Sequence, residues 1–320
     1  MKNFLLALLL CVMVAIESTT IKYVKKIQLY DIPSEQLVLL VEICKFLLSL
    51  LIYVFEKASA MNMSNTRHYT HHTRYNSIEE SEINVENERN INSSLVWYML
   101  PAVLYAVSNN VTFAALALMP PAMFNLLMNL KIPMTAFMAW MFIRYEINKN
   151  LLISFAALFL GSIIASVKFS STNGPSIEGS LLGLILMLVY SACSAGGAVY
   201  TEYVTKMRFQ NENMFLQNMK FCICSALSNI IIIMIRGVVP YTQVEWIHLA
   251  SVLVLVLNGL MTAAVLKFGG SILKTYSVSV AMFFSALLTW LIFGYKLSWN
   301  FYVGALICAC AVQLYAHEKK

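Results

Sequence analysis

The chain has 320 residues, of which 59% are hydrophobic and only 12% are charged, and its formal net charge is +6. A soluble domain carries roughly 25% charged residues, so this composition excludes one and predicts that lipid surrounds most of the chain. The net charge is much less positive than that of a typical nucleic-acid-binding protein, so we expect no nucleic-acid partner.

Apolar runs of membrane-spanning length follow one another along the chain. A spanning helix needs about 20 apolar residues. Helices are favoured over barrel strands, because a span must satisfy its backbone hydrogen bonds internally. The sequence predicts ten such helices, at residues 3–22, 35–56, 95–117, 120–143, 150–168, 178–205, 213–235, 245–266, 271–293 and 299–316. A signal peptide is the alternative for the first run, but no A-x-A-like cleavage site follows it.

The distribution of cations predicts the orientation of this all-α integral membrane protein. Ten spans place both termini on the same side of the membrane. If that side is the cytosol, the cytosolic segments contain the larger share of lysine and arginine. Cytosolic segments of membrane proteins carry such an excess, so both termini are predicted to be cytosolic.

One connection is long and polar. Residues 57–94 contain few large apolar side chains and cannot bury a core, so we expect a disordered cytosolic linker there. This linker separates transmembrane helices 1–2, within residues 1–56, from transmembrane helices 3–10, within residues 95–320. The whole chain, residues 1–320, is nevertheless expected to form one domain.

A weak internal sequence repeat relates two parts of the helical region. Residues 142–150 read FIRYEINKN and residues 292–300 read IFGYKLSWN, at an offset of 150 residues. Each segment follows two spans that are joined with almost no loop, at 119–121 and at 268–270. Paired halves with glycine or proline interruptions in matching places are typical of transporters built from inverted repeats. We therefore expect two five-helix inverted repeats with a binding site between them.

Two lysines lie where a bilayer penalises charge most. A charge at the centre of a spanning helix costs about 2.5–3.5 kcal/mol, so it needs a partner or a watery cavity. Lys131 and Lys274 lie in different halves and have no acidic residue within one helical turn. Their positions indicate a cavity for an anion, with ion pairs to Glu17 or Glu42 as the alternative.

Other charges in the spans have local explanations. Glu42 and Lys45 stand three residues apart on one predicted helix and can pair with each other. Glu202 and Lys267 lie near helix ends, where snorkelling to the membrane surface is the alternative to a role in binding. Lys220 lies one turn into its span, and we expect it to snorkel.

Polar residues near these charges suit a phosphate ester. Donor and acceptor side chains are found on the third and seventh spans: Tyr105, Asn109, Asn110, Gln217 and Asn218. Ser271 follows two glycines at the start of the ninth span, whose helix N-terminus can present free N–H groups to an anion. Because asparagine also joins helices in membranes, the indication comes from the set rather than from one residue.

Short motifs run along nearly the whole chain: Glu42-x-x-Lys45-Phe, Tyr105-x-x-x-Asn109-Asn110, Asn129-Leu-Lys131-Ile-Pro133, Ala198-Val-Tyr-Thr-Glu202, Gln217-Asn218, and a stretch from Asn258-Gly259 to Lys267, Lys274 and Ser277. In these motifs the chain resembles the Golgi nucleotide-sugar transporters, in the branch of the CMP-sialic acid, UDP-galactose and UDP-N-acetylglucosamine carriers. The spelling VYTE and the Gly-Gly-Ser after Lys267 look most like the probable UDP-sugar transporter group.

The resemblance implies a ten-helix drug/metabolite-transporter fold and exchange of a cytosolic nucleotide sugar for a lumenal nucleoside monophosphate. It also implies roles for site residues: Lys131 and Lys274 face the phosphates with help from Ser271; Tyr105, Asn109, Asn110 and Asn218 contact ribose and base; Glu42 and Lys45 lie at the sugar end. Lys267, Glu202 and Gln217 are secondary candidates. The implied location is the Golgi membrane, with the endoplasmic reticulum as second choice, and a homodimer or an association with Golgi glycosyltransferases is a further implication.

The resemblance leaves the nucleobase open. Phe124 and Cys222 stand where sialic acid and galactose carriers often have tyrosine, and Met128 also departs from them. These differences lie at the nucleotide end of the implied cavity, so Phe124 is itself a candidate contact. A UDP-sugar is favoured, with a CMP-sugar as the alternative.

Three other functions compete with this interpretation. A membrane phosphotransferase usually holds Mg²⁺ with clustered aspartates, but Asp31 is the only aspartate in the chain. In each of the two C-x-C pairs, the two cysteine side chains point about 200° apart around the helix, so no disulfide, metal site or cofactor is expected. A transporter of another phosphorylated metabolite or of cationic drugs, and a scaffold without transport, are the remaining alternatives.

Overall fold

The computed structural model describes residues 2–26, 34–67, 76–118, 127–146, 148–166, 181–237, 246–294 and 299–318. Ten α-helices make up most of these ranges: α1 (Lys2–Lys26), α2 (Ser34–Arg67), α3 (Asn76–Leu118), α4 (Lys131–Ile143), α5 (Lys149–Ser166), α6 (Leu181–Glu202), α7 (Met214–Arg236), α8 (Trp246–Phe268), α9 (Ser271–Phe293) and α10 (Trp299–Glu318). A π-helical segment, Tyr203–Arg208, continues α6. Among the described residues no strand occurs.

Several of these helices are long and apolar enough to cross a membrane. Six such stretches lie within the described residues: Gln36–Ser59, Leu182–Arg208, Met214–Arg236, His248–Phe268, Ser271–Ile292 and Trp299–His317. Shorter apolar stretches lie at Leu5–Thr20, Lys131–Ile143 and Lys149–Ala165. The prediction of an all-helical membrane protein is confirmed in this form, whereas ten spans with cytosolic termini stay a prediction.

The fourth predicted span, 120–143, is described only in part, because residues 119–126 lie outside the described residues. Residues 127–128 are helical, and residues 129–130 form a tighter turn, in which the Leu130 N–H donates to the Leu127 carbonyl at 3.0 Å. α4 then runs from Lys131 to Ile143. Pro133 lies in the first turn of α4, just after this interruption, where its missing N–H costs little.

The segment predicted as a disordered linker, residues 57–94, is helical on both flanks. α2 continues to Arg67 and α3 begins at Asn76, while residues 68–75 lie outside the described part of the chain. The prediction used the lack of apolar residues, which argues against a core but not against a helix. Extending an existing helix is far cheaper than nucleating one, so a spanning helix can continue into a polar segment.

The helices pack in a pattern that repeats after five helices. α1 packs on α8 and α9, and α6 packs correspondingly on α3 and α4. α2 packs on α8 as α7 packs on α3, and the pairs α2–α7 and α5–α10 each join helices in equivalent places. Two related five-helix halves would give this pattern. That the halves are inverted relative to each other in the membrane stays a prediction.

α4 and α9 end with the same backbone conformation, at the two positions that the internal sequence repeat aligns. Arg144 follows α4 with φ of 54°, and Gly294 follows α9 with φ of 70°, so both residues adopt the left-handed conformation. In each case the N–H of this residue bonds back to a carbonyl of the last turn, Ala139 or Trp290. Glycine adopts this conformation without strain, whereas arginine does so at a cost.

α5 and α10 approach so closely that their backbones touch. A Cβ atom placed on Gly304 would lie 2.5 Å from the carbonyl oxygen of Gly161, and one placed on Gly161 would lie 2.8 Å from the Cys308 sulfur. Neither glycine therefore tolerates a side chain. Close contact through small residues is a common way of packing helices in lipid, where the hydrophobic effect does not hold two helices together.

Candidate functional site

A cavity of about 220 Å³ lies among α2, α3, α6, α7, α8 and α9. It brings together predicted site residues that are far apart in the sequence: Glu42, Lys45, Tyr105, Asn109, Gln217, Asn218 and Lys274. Other predicted site residues do not line it: Asn110, Lys131, Glu202, Lys267 and Ser271. Phe124 lies outside the described residues. The helices of both halves contribute walls, as expected for a site between repeats.

Lys274 is the cation of this cavity that has no carboxylate partner among the described residues. Its Nζ donates a hydrogen bond to the Tyr105 hydroxyl at 3.2 Å and lies 5.2 Å from the centre of the same ring. The aromatic ring therefore also stabilises the charge through a cation–π interaction. Because the hydroxyl is neutral, this contact does not pair Lys274 with an opposite charge, and an anion in the cavity can take that place.

Lys45 has its charge balanced from its own helix. Its Nζ lies 2.6 Å from a Glu42 carboxylate oxygen, and both side chains are buried. The ammonium group also lies 5.9 Å from the centre of the Phe221 ring. A buried ion pair of this kind carries a desolvation cost, so it is weak evidence for stability. Ionisable residues inside membrane spans typically mark functional positions, and this pair lines the cavity.

Gly259 of α8 provides the space in which the Lys45 side chain lies. A Cβ atom placed on Gly259 would be 2.6 Å from the Lys45 Cδ. Any larger residue would therefore push the lysine out of its position. The glycine of the Asn258-Gly259 motif thus affects the cavity because its small size leaves room for the Lys45 side chain.

The amide residues of the site differ in what their side chains contact. Asn218 donates to the Ser49 hydroxyl at 2.8 Å, which joins α7 to α2. Asn110 donates to the Ala106 carbonyl of its own helix at 2.8 Å and does not reach the cavity. Asn109 lines the cavity as an exposed residue, so it is the asparagine of this pair that is free to meet a ligand.

The N-terminus of α9, expected to bind an anion, has a carboxylate of the protein against it. Glu202 accepts hydrogen bonds from the Ser271 N–H and from the Ser271 hydroxyl, both at 2.7 Å. Lys206 lies 3.3 Å from the other carboxylate oxygen. The prediction that this helix end attracts an anion fits this contact, but the anion here is Glu202. A role for Ser271 toward phosphate stays a prediction.

A second acidic residue, Glu212, organises the loop between the π-helical segment and α7. The Lys220 ammonium donates to both Glu212 carboxylate oxygens, at 2.7 and 2.8 Å, and Lys220 is only 3% exposed. The expectation that Lys220 snorkels was therefore wrong, because a loop acid close in space was overlooked. Lys267 donates to the backbone carbonyl of Glu212.

Lys131 does not line the cavity that contains Lys274. It is the first residue of α4 and is half-buried. Its own carbonyl accepts a hydrogen bond from the Thr135 hydroxyl at 2.7 Å. A contact between Lys131 and a ligand stays a prediction.

Sequence reasoning missed several residues of the cavity wall. Tyr98 lies two turns before Tyr105 on α3, and the α7 wall continues at intervals of four residues, through Phe221, Ser225 and Asn229. The spacing of seven on α3 and of four on α7 is the signal that could have placed them on one helix face.

Comparison with known proteins decides the family. The profile described as "Nucleotide-sugar transporter" matches residues 1–316. The chain belongs to the nucleotide-sugar transporter family. The prediction made from the short motifs is confirmed, and the matching relatives are transporters and not enzymes, which agrees with the expectation at the level of the family.

Curated relatives are about 25–30% identical to this transporter over the aligned positions. The UDP-galactose transporter senju of Drosophila melanogaster is 25% identical in an alignment of length 285 that covers 77% of this chain and 73% of senju. A probable UDP-sugar transporter of Danio rerio is 30% identical over 68% of this chain and 70% of its own. CMP-sialic acid transporter 2 of Oryza sativa subsp. indica is 26% identical over 69% of this chain and 63% of its own.

The fold also matches a protein of known structure. A solved crystal structure superposes with a TM-score of 0.65 over 97% of this chain and 96% of the other chain, at 13% identity. At that identity the likeness concerns the fold alone. The nucleotide-sugar transporter is thus a multi-pass membrane protein both by its family and by its helices.

Proposed function

We propose that this transporter exchanges a cytosolic pyrimidine nucleotide sugar, with a UDP-sugar favoured over a CMP-sugar, for a lumenal nucleoside monophosphate. The observation that carries the proposal is the cation in the cavity: Lys274 has no carboxylate partner among the described residues, and it faces a space between the two halves. A phosphate ester is the class of ligand that such a group attracts.

The charge of the cavity wall supports an anionic ligand. Its charged residues in the described part are Glu42, Lys45 and Lys274. Because Glu42 and Lys45 neutralise each other, Lys274 leaves the wall with one net positive charge. This surplus is small enough to allow release, which an exchanger needs for the incoming nucleotide sugar and for the returning monophosphate.

We propose that Lys131 joins the site in another conformation of the transport cycle. α4 packs on α6 and α9, which carry Glu202 and Lys274. A change in tilt of the α8–α9 hairpin and of the hairpin predicted for the third and fourth spans would alter the distance between Lys131 and the cavity. Alternating access of this kind is typical of transporters that are built from repeats.

The hydrogen bonds between Glu202 and Ser271 are the contact that such a change would break. They join the end of α6 to the first residue of α9, beside the Gly269-Gly270 turn. The π-helical segment begins at the next residue, and such segments are common at functional positions in helices. We propose that this contact closes one end of the cavity in the conformation described here.

The preference for uridine is supported by the motif spelling and by one of the relatives. The VYTE spelling and the Gly-Gly-Ser after Lys267 resemble the probable UDP-sugar transporter group, and the Danio rerio relative named for UDP-sugars is 30% identical. The relatives named for CMP-sialic acid keep a CMP-sugar as the alternative. The departures at Phe124 and Cys222 do not distinguish the two bases, because the resemblance gives tyrosine there in both sialic acid and galactose carriers. We also propose the Golgi membrane as the location, with the endoplasmic reticulum as second choice, and self-association or association with glycosyltransferases as an interaction.

Exchange in proteoliposomes tests the proposal. Purified full-length protein is reconstituted into vesicles preloaded with UMP, CMP or GMP, and uptake of radiolabelled UDP-sugars, CMP-sialic acid and a hexose phosphate is measured. We expect UDP-sugar uptake that depends on internal UMP and falls in Lys274→Gln. Uptake of the hexose phosphate alone would instead favour transport of another phosphorylated metabolite. No uptake above empty vesicles with any substrate would overturn the proposal.

A further inference from the structure

Tyr98 carries a buried hydroxyl group that makes no hydrogen bond to the described part of the chain. The side chain belongs to the cavity wall and is 0% exposed, and none of the described residues is a hydrogen-bond partner of its hydroxyl oxygen. The ring packs against Phe209 at 6.3 Å between centres, which fixes its direction. Because buried polar groups are nearly always hydrogen-bonded, an exception on a cavity wall is a candidate contact for a bound molecule.

Gln217 presents an acceptor to the same cavity. Its Nε2 donates to the carbonyls of Thr205, at 3.1 Å, and of Phe209, at 2.5 Å. Because both amide hydrogens are used, the orientation of the amide is fixed, and only the oxygen remains. That oxygen, Oε1, is buried and has no hydrogen-bond partner in the described ranges, and the residue is 2% exposed.

These two groups belong to one end of the cavity. Both adjoin Phe209, Tyr98 through its ring and Gln217 through the Phe209 carbonyl. The positive end lies elsewhere, at Tyr105 and Lys274. Tyr98 and Tyr105 are seven residues apart on α3, which corresponds to about 10 Å along the helix axis. The charged lining residue Lys274 therefore lies at one end of the cavity and the uncharged lining residues Tyr98 and Gln217 at the other, where the Lys220–Glu212 ion pair lies close to Phe209 but does not line the cavity.

We propose that Tyr98 and Gln217 bind an uncharged part of the transported molecule that offers a donor and an acceptor side by side. Gln217 Oε1 accepts from the donor, while the Tyr98 hydroxyl donates to the acceptor. On a nucleotide sugar this group is either the amide edge of the base or neighbouring hydroxyls of the sugar. The inference rests on the proposed function, because it places this group away from the phosphates that face Lys274.

Tyr98→Phe is the variant that tests this inference, since it removes only the hydroxyl, which makes no hydrogen bond to any residue that the structure describes. Binding of UMP, UDP and UDP-galactose to purified full-length protein is measured by calorimetry, together with thermal unfolding without ligand. We expect binding to weaken about 2- to 10-fold, the range of one neutral hydrogen bond. The unfolding temperature of the ligand-free protein should stay the same or rise, because an unsatisfied polar group has been removed.

Tyr276→Phe is the matched control. Tyr276 is equally buried and shares a 2.5 Å hydrogen bond with Ser154, but it does not line the cavity. We expect its loss to lower the unfolding temperature and to leave nucleotide affinity unchanged. The two tyrosines thus separate a hydroxyl that serves the ligand from one that serves the fold.

The ligand panel identifies which part of the molecule is bound. Weaker binding of all three compounds by Tyr98→Phe assigns the group to the nucleoside, whereas weaker binding of UDP-galactose alone assigns it to the sugar. Unchanged binding of all three would overturn the inference while leaving the proposed function intact. If the wild-type protein binds none of them, the proposed function fails and the inference fails with it.

Discussion

Glu202 accepts two hydrogen bonds from Ser271, one from its backbone N–H and one from its hydroxyl, and so joins the end of α6 to the start of α9. The two residues are 69 positions apart in the sequence. The carboxylate lies where the dipole of α9 and its free N–H groups favour a negative charge. This contact and the charged groups of the cavity lead to four predictions besides the test of Tyr98.

Glu202→Gln should destabilise the ligand-free protein. An amide keeps the shape of the side chain but is a weaker acceptor than a carboxylate, so we expect a loss of about 1–3 kcal/mol in the free energy of unfolding. Thermal unfolding in detergent checks this. Lys206→Gln is the control: Lys206 is 41% exposed and 3.3 Å from Glu202, so its loss should cost less than about 1 kcal/mol. Equal effects of the two variants would contradict the importance of the Ser271 contact.

Glu42→Gln should make the protein depend more on its ligand. Without the carboxylate, Lys45 remains buried without a counter-charge, which costs about 3 kcal/mol, and a bound phosphate can replace the lost charge. Saturating UMP should therefore raise the unfolding temperature of Glu42→Gln more than that of wild type. In Lys45→Met the Glu42 carboxylate is left without its cation, so binding of the UMP anion should not restore the lost stability. Similar ligand-induced shifts in all three proteins would show that Lys45 does not meet the phosphate.

Lys274→Gln should reduce nucleotide affinity far more than stability. The lysine contacts a neutral hydroxyl, so the fold loses little, while a phosphate loses a charged hydrogen bond worth about a 10- to 100-fold change in affinity. Calorimetry with UMP measures this change. The comparison variant is Lys220→Met, which breaks the buried pair with Glu212 and should cost about 3 kcal/mol of stability. The prediction fails if Lys274→Gln binds UMP as wild type does.

Gly259→Ala should impair transport by displacing Lys45. The added methyl group would lie 2.6 Å from the lysine Cδ, so the side chain must move or strain the helices by about 1–3 kcal/mol. We expect a lower rate of UDP-sugar exchange and a weaker apparent affinity in proteoliposomes. Gly196→Ala is the matched change, because its nearest neighbour would be 3.8 Å away. It should leave exchange unchanged and gain up to about 1 kcal/mol. Normal exchange by Gly259→Ala would count against the positioning role.

Sequence reasoning reached the contacts that are local or that arise from composition. The Glu42–Lys45 pair could be predicted because three residues on a helix place the side chains on one face. Lys274 stood out because a cation without a nearby acid is costly in lipid. The hydrophobic runs gave the helices, but not the turn at residues 129–130, because Pro133 is compatible with more than one helix boundary.

The contacts that sequence reasoning missed join residues that only the fold brings together. Glu212 belongs to a loop, so nothing in its surroundings pointed to Lys220 on the following helix. Glu202 was considered near a helix end on its own and Ser271 on another, and their contact needs the packing of α6 against α8 and α9. Tyr98 looked like an ordinary aromatic residue, because the sequence does not reveal that its hydroxyl has no partner among the residues of known placement.

The contact between Gly161 and Gly304 limits how the protein can move. Where two backbones touch, sliding or rotation of either helix would drive atoms into each other, so α5 and α10 are expected to behave as one rigid body. A conformational cycle would then have to take place in the other eight helices, with this pair as a fixed frame. A cysteine crosslink between α5 and α10 should leave exchange intact, whereas one that joins α6 to α9 near Glu202 should stop it.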